Sequence, residues 1–153
     1  MGYIEKNLLP GENIIYQTKI HWIIFFWSVI FLLIGIICFT GNEGNFYSGI
    51  VFVLIAIYFG IRALVFYKTS EFGVTNKRVL VKFGFIRRTS FEVLLSKIEG
   101  IHVKQGIFGR IFNYGSVVIA GTGGSKQPSP MIFAPFEFRK KILEQIEKNS
   151  VSQ

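Results

Sequence analysis

ENIIYQTKIH, residues 12–21, runs directly into WIIFFWSVIFLLIGIICFT, residues 22–40. The first segment alternates. Ile14, Tyr16, Thr18 and Ile20 fall on one side and Ile15, Gln17, Lys19 and His21 on the other, which is the period of a strand. Pro10-Gly11 starts it, as turn residues do. The second segment has no charge in 19 residues, and thirteen of them are Ile, Leu, Phe or Val. As a helix it is roughly 28 Å long, close to the hydrocarbon thickness of a bilayer. Its transfer into lipid gains on the order of 4–8 kcal/mol. A lone strand is not stable in water. The strand must therefore pair with something beyond the apolar segment, and whatever lies between becomes an insertion.

A second apolar run follows, GIVFVLIAIYFGIRALVFY at 49–67. Its one charge, Arg62, lies five residues from the end of the run, where a long side chain snorkels to the headgroups. Ala56 and Gly60 form a small-xxx-small pair suited to close helix packing. The connector GNEGNFYS, 41–48, is too short for a domain, so the two helices form an antiparallel hairpin across 22–67. The connector holds Glu43 and no Lys or Arg, while Lys6, Lys19, Lys68, Lys77 and Arg78 flank the hairpin. The positive-inside rule then puts both termini in the cytoplasm. Trp22 and Tyr67 are placed for the inner interface, Phe46 and Tyr47 for the outer one.

The composition agrees with a membrane protein. Half the chain is hydrophobic, 17 residues are Phe, and the formal net charge is +8. Apolarity with a basic balance suits anionic lipid. The lone Cys38 forbids an intramolecular disulfide. Mixed early charges and a late, long apolar run do not match a cleavable signal peptide.

Residues 68–153 hold 14 Lys/Arg and 6 Asp/Glu, and they read as short strands. EFGVT (71–75) places Phe72 and Val74 together, and Asn76-Lys77 makes a tight turn into RVLVKF (78–83). RRTSFEVL (87–94), GIHVKQ (100–105) and SVVIAGT (116–122) follow, and a Gly/Ser/Pro loop (123–130) leads to MIFA (131–134). The period then changes. In PFEFRKKILEQIEKN (135–149), Phe138, Ile142, Leu143 and Ile146 make a helical stripe. Glu137–Lys141 and Glu144–Lys148 are spaced for helix ion pairs.

Together these readings predict an α+β membrane protein. It has about seven strands, a closing C-terminal helix at 135–149, and a two-helix hairpin inserted after the first strand. Residues 1–21 and 68–153 would form one domain around the hairpin. The sequence resembles the bacterial pleckstrin-homology-like (PH-like) membrane protein family. The resemblance rests on LLPGE (8–12), the hairpin, TSEFGVTNKRVLVKFGFIRR (69–88), LSKIEGIHVKQGIFGRIFNYGSVVIAGTGG (95–124) and PFEFRKKI (135–142). It implies a PH-like β-barrel or sandwich on the cytosolic side of a bacterial inner membrane. It implies no particular reaction, because fold does not give function. It also implies that GIFGRIFNYGS (106–116) is a short helical turn between two strands. Ile107, Phe108, Ile111 and Phe112 would share one face there. The turn is read as a structural joint capping one barrel end, with Phe108, Arg110 and Phe112 as the alternative membrane-interface residues.

Several chemistries lack their residues. AGTGGSK (120–126) resembles a phosphate loop, but Pro128 blocks the helix such a loop needs. Two histidines and a cysteine within the first apolar run do not make a zinc site. No local signature of a catalytic triad is present. The expectation is a non-enzyme with no cofactor. Lys77, Arg78, Arg87 and Arg88 are the candidates for a surface facing anionic headgroups or a partner. The expected role is an interaction module at the membrane, with lipid, a membrane protein or further copies of itself as partners. The alternative is a small transport or stress- or bacteriocin-resistance component whose hairpin oligomerises. Nucleic acid is not expected as a partner, since no aromatic–basic stacking motif is found.

Overall fold

The computed structural model describes residues 3–40, 46–84, 89–122 and 126–151. The chain divides into two compact units, Met1–His21 with Thr69–Gln153, and Trp22–Lys68. The first unit holds a short helix α1 (Tyr3–Lys6), strands β1 (Ile14–Thr18), β2 (Glu71–Thr75), β3 (Arg78–Phe83), β4 (Thr89–Leu94) and β5 (Ile98–Lys104), helix α4 (Ile107–Phe112), strands β6 (Tyr114–Gly121) and β7 (Lys126–Phe133), and helix α5 (Pro135–Val151). The second holds a 3-10 turn (Trp22–Phe25) running into α2 (Phe26–Thr40), and α3 (Phe46–Thr69).

Two antiparallel sheets form, β1-β2-β3-β4 and β5-β6-β7. The strand before the hairpin pairs with the strand after it, with Tyr16 opposite Val74 and Thr18 opposite Phe72. Across the first sheet this register builds two inward rows. One is Thr18, Phe72, Val81 and Phe91, and the other is Tyr16, Val74, Val79 and Val93. Phe72, Val74 and Val79 are fully buried. A bulge at Ile15 shifts the early register. It leaves Ile15 exposed while Ile20 is buried.

The sheets join at a corner. Ile20 bridges Ile132, His21 N–H donates to the Met131 carbonyl at 2.7 Å, and Phe133 N–H donates to the Lys19 carbonyl at 2.9 Å. β7 makes this possible by bulging between Ser129 and Ile132, where Met131 takes φ 47°, the local bend that extra strand residues produce. The sequence reading differs here. Residues 126–130, expected as loop, belong to β7. Pro128 and Pro130 are tolerated because β7 lies at the edge of its three-stranded sheet.

The outer face of the first sheet is also covered. Leu80 sits on the outer face of its sheet yet is buried, because Ile4 of α1 covers that face. Gly73, directly opposite Leu80, leaves the space; a Cβ there would lie 2.8 Å from Ile4 Cδ1. On α5, Phe138, Ile142 and Gln145 form the buried stripe, and Leu143 is exposed. The expected pairs of Glu137 with Lys141 and of Glu144 with Lys148 do not form as drawn. Glu137 instead accepts from the Tyr16 hydroxyl at 3.2 Å, and Lys141 reaches Glu144 at 3.0 Å. α5 packs on strands of both sheets and so covers the core between them.

In the second unit, the continuous helical run Trp22–Thr40 and α3 are long and apolar enough to cross a membrane, by length and composition. They approach closely at small residues. The Ser28 hydroxyl donates to the Ala56 carbonyl at 2.8 Å. A Cβ on Gly60 would lie 2.9 Å from Ser28 Oγ, and one on Gly35 would lie 2.9 Å from Val53 Cγ2. Phe31 stacks against Phe59 at 5.6 Å between the helices.

Truncating the α5 anchor tests this core. Phe138→Ala is expected to cost about 3–5 kcal/mol, measured by chemical unfolding of the full chain in detergent. A cost under about 1 kcal/mol, the range of surface changes, would mean that α5 does not close the core.

Candidate functional site

The best-built polar site lies where the N-terminal segment meets the β2–β3 turn. Leu9-Pro10-Gly11-Glu12 is a type II turn. Proline presets the second position, Gly11 takes φ +73° at the third, and Glu12 N–H donates to the Leu9 carbonyl at 2.9 Å. The turn folds the Glu12 carboxylate inward. It accepts from Leu9 N–H at 2.7 Å, from the Thr75 hydroxyl at 2.7 Å, and from Arg78 through Nε and Nη2 at 2.9 Å each. Arg78 also pairs with Glu92 through Nη1, and Nη2 donates to the Asn7 carbonyl at 2.7 Å. The Glu12 side chain has no exposed surface and that of Arg78 is 12% exposed. The fork-on-carboxylate geometry is the strong form of this pair.

Burial alone would raise the Glu12 pKa. The hydrogen bonds from Arg78, Leu9 and Thr75, with the Arg78 charge, outweigh it and hold the carboxyl below its ordinary value. The neighbouring turn residues add to the joint. Asn76 Oδ1 accepts from Asn13 N–H at 3.0 Å and Asn76 Nδ2 donates to the Gly11 carbonyl at 3.1 Å. Lys77 Nζ donates to the Pro10 carbonyl at 3.0 Å.

The four basic residues named from sequence are therefore not equivalent. Arg78 is committed to two carboxylates and a carbonyl. Lys77 is exposed, and it lines an open groove with Asn76, Leu94, Leu95, Ser96 and Ile146. Arg87 and Arg88 lie outside the described residues. Reading Arg78 as a free surface cation overlooked Glu12. A usable signal was present: a single acidic residue follows Pro-Gly just where a half-buried strand begins.

GIFGRIFNYGS forms the expected helical turn, α4, but its apolar face does not cap the barrel. Ile107, Phe108 and Ile111 are 79%, 68% and 69% exposed and Phe112 is 42% exposed. The side turned inward is Gly109, where a Cβ would lie 2.5 Å from the Tyr114 carbonyl oxygen. Gln105 Nε2 donates to the Gly109 and Tyr114 carbonyls at 2.9 and 3.2 Å. Asn113 ends the helix in the left-handed region at φ 56°. Arg110 is exposed. Beside α4, buried His21 stacks on Phe133 at 5.9 Å and lies 5.3 Å from the Tyr114 ring. Burial lowers the His21 pKa, and its hydrogen bond to the Phe112 carbonyl partly opposes this. Ala56 and Gly60 face Ser28 within the hairpin, as described above.

Residues 23–149 match the model of the bacterial PH domain. The chain belongs to the bacterial PH domain family. No curated protein and no solved structure matches it. The match begins after β1, yet β1 and the Glu12 turn complete the first sheet of this bacterial PH domain.

The Glu12 pair sets a pH dependence. The folded pKa of Glu12 lies below its unfolded value of about 4.3. Its contribution is thus full above that pH and is lost as pH falls through the lower folded value. Arg78→Met strands a buried carboxylate and is expected to cost about 3–5 kcal/mol at pH 7. The double change Glu12→Gln with Arg78→Met should recover part of that loss and flatten the acid limb of a stability–pH curve. An additive double variant would show that the two residues do not act as a pair.

Proposed function

We propose that this bacterial PH domain protein is a membrane-tethered interaction module, held at the cytoplasmic face of the inner membrane by its hairpin. One observation carries the reading: two long apolar helices, most of whose large side chains stay exposed, are spliced between two paired strands of the domain. A core helix of a soluble protein buries its apolar side chains; these helices leave theirs for lipid. The charge asymmetry across the hairpin supports cytoplasmic termini.

The role is non-catalytic. The most deeply placed ion pair serves as a fastener, and a carboxylate with all its acceptor sites taken and a lowered pKa is a poor base. Features that support binding are the outer edges of β4 and β5, a mode of strand addition used by other domains, and the groove beside Lys77. Tethering raises the effective concentration of these surfaces toward membrane partners. Lipid headgroups, a membrane protein and a second copy are the partners this arrangement serves.

Cysteine labelling tests the tether. In a Cys38→Ser background, Tyr47→Cys should react with an impermeant maleimide added outside spheroplasts, and Ser150→Cys only after lysis. Labelling of both sites from outside, or release of the protein by alkaline carbonate, would overturn the proposal.

A further inference from the structure

We infer that α4 is a third membrane contact, lying in the anionic headgroup layer with Ile107, Phe108, Ile111 and Phe112 turned into the lipid. This inference rests on the reading that the hairpin crosses a bilayer. Four large apolar side chains on a six-residue helix are exposed together. Their spacing of i, i+1, i+4 and i+5 puts them on one side of the helix. The backbone does not leave them free to turn inward. Gly109 is pressed against the Tyr114 carbonyl, Gln105 holds the Gly109 and Tyr114 carbonyls, and Asn113 ends the helix. The side facing the domain therefore has no room for a side chain, and the apolar side is presented outward by construction.

Position identifies the occupant. His21 bonds the Phe112 carbonyl and stacks on Phe133, and it is the last residue of the domain before Trp22 opens the first apolar helix. If that helix enters lipid, the root of the tether and the end of α4 are joined through one imidazole ring. Charge agrees. From Gly100 to Thr122 the chain carries Lys104 and Arg110 and no acidic residue, and Arg110 is exposed on α4 itself. A short apolar face flanked by cations, with its end bonded to the last residue before the first apolar helix, suits the interface of an anionic leaflet. A second copy of the chain would not need that cationic flank.

Site-specific fluorescence tests the inference in the full-length protein. In a Cys38→Ser background, Phe108→Cys and Leu33→Cys each carry an environment-sensitive dye. The protein is reconstituted in phosphatidylcholine vesicles with or without phosphatidylglycerol, and brominated lipid serves as quencher. The expected result is a blue shift and loss of emission at both positions, with the Phe108 loss larger when phosphatidylglycerol is present. Arg110→Glu should remove that difference. Quenching at Leu33 with an aqueous signal at Phe108 overturns the α4 contact and leaves the tether standing. A blue shift at Phe108 without lipid quenching means that protein, such as a second copy, covers α4, and also overturns it. Absence of quenching at both positions ends the tether reading and this one with it.

Discussion

Glu12 and Arg78 stand on opposite sides of the hairpin in the sequence, yet their side chains meet at 2.9 Å. Everything in the domain's first sheet depends on that closure. β1 can contribute to the sheet only if the chain returns from α3 beside it, and the antiparallel register of Thr18 with Phe72 records that return. The ion pair, the type II turn and the Asn76 bonds fasten the far end of the same strand pair. Water can reach little of this joint, so its worth lies in good geometry with every acceptor occupied.

This constraint shapes what the hairpin does to the domain. The chain leaves at the end of β1 and returns at the start of β2, on neighbouring strands. At the corner of Ile20 and Ile132, the segment before the first helix is bound to β7 as well as to β2. The two sheets are thus linked by the residues just after β1, which precede the first apolar helix.

Much of this was legible in the sequence, and the limits have physical causes. The alternation of residues 14–19 and the strands around Phe72, Val79 and Val93 could be read because one face of each is turned to the core and the other is wet; His21, expected on the wet side, is buried at the corner. The closing helix was legible from its change of period. The burial of Leu80 was not legible, because a short helix from outside the alternating pattern covers it. Residues 126–130 were misread because prolines signal loops unless the strand is an edge, and edge position is a tertiary fact. Leu143 and Gln145 exchanged their expected places because neither the apolar stripe nor its width fixes how a helix is rotated on its sheet. At the site, Lys77, Arg78, Arg87 and Arg88 were candidates for a surface facing anionic headgroups or a partner. Arg78 is instead drawn into the joint by a carboxylate that only the fold brings near. The turn 106–116 was recognised as a short helix, but the direction of its apolar face depends on contacts at Gly109 that no spacing rule encodes.

The segment before the hairpin is an integral strand of the domain. Backbone hydrogen exchange on the full chain in lipid nanodiscs measures this directly, since protection tracks the free energy of the opening that exposes each amide. The β1 amides bonded to β2 should exchange as slowly as those of β3, with both released together by Arg78→Met. Fast exchange across residues 14–18 while residues 78–83 stay protected would contradict the account and reduce the N-terminal segment to a loosely attached arm.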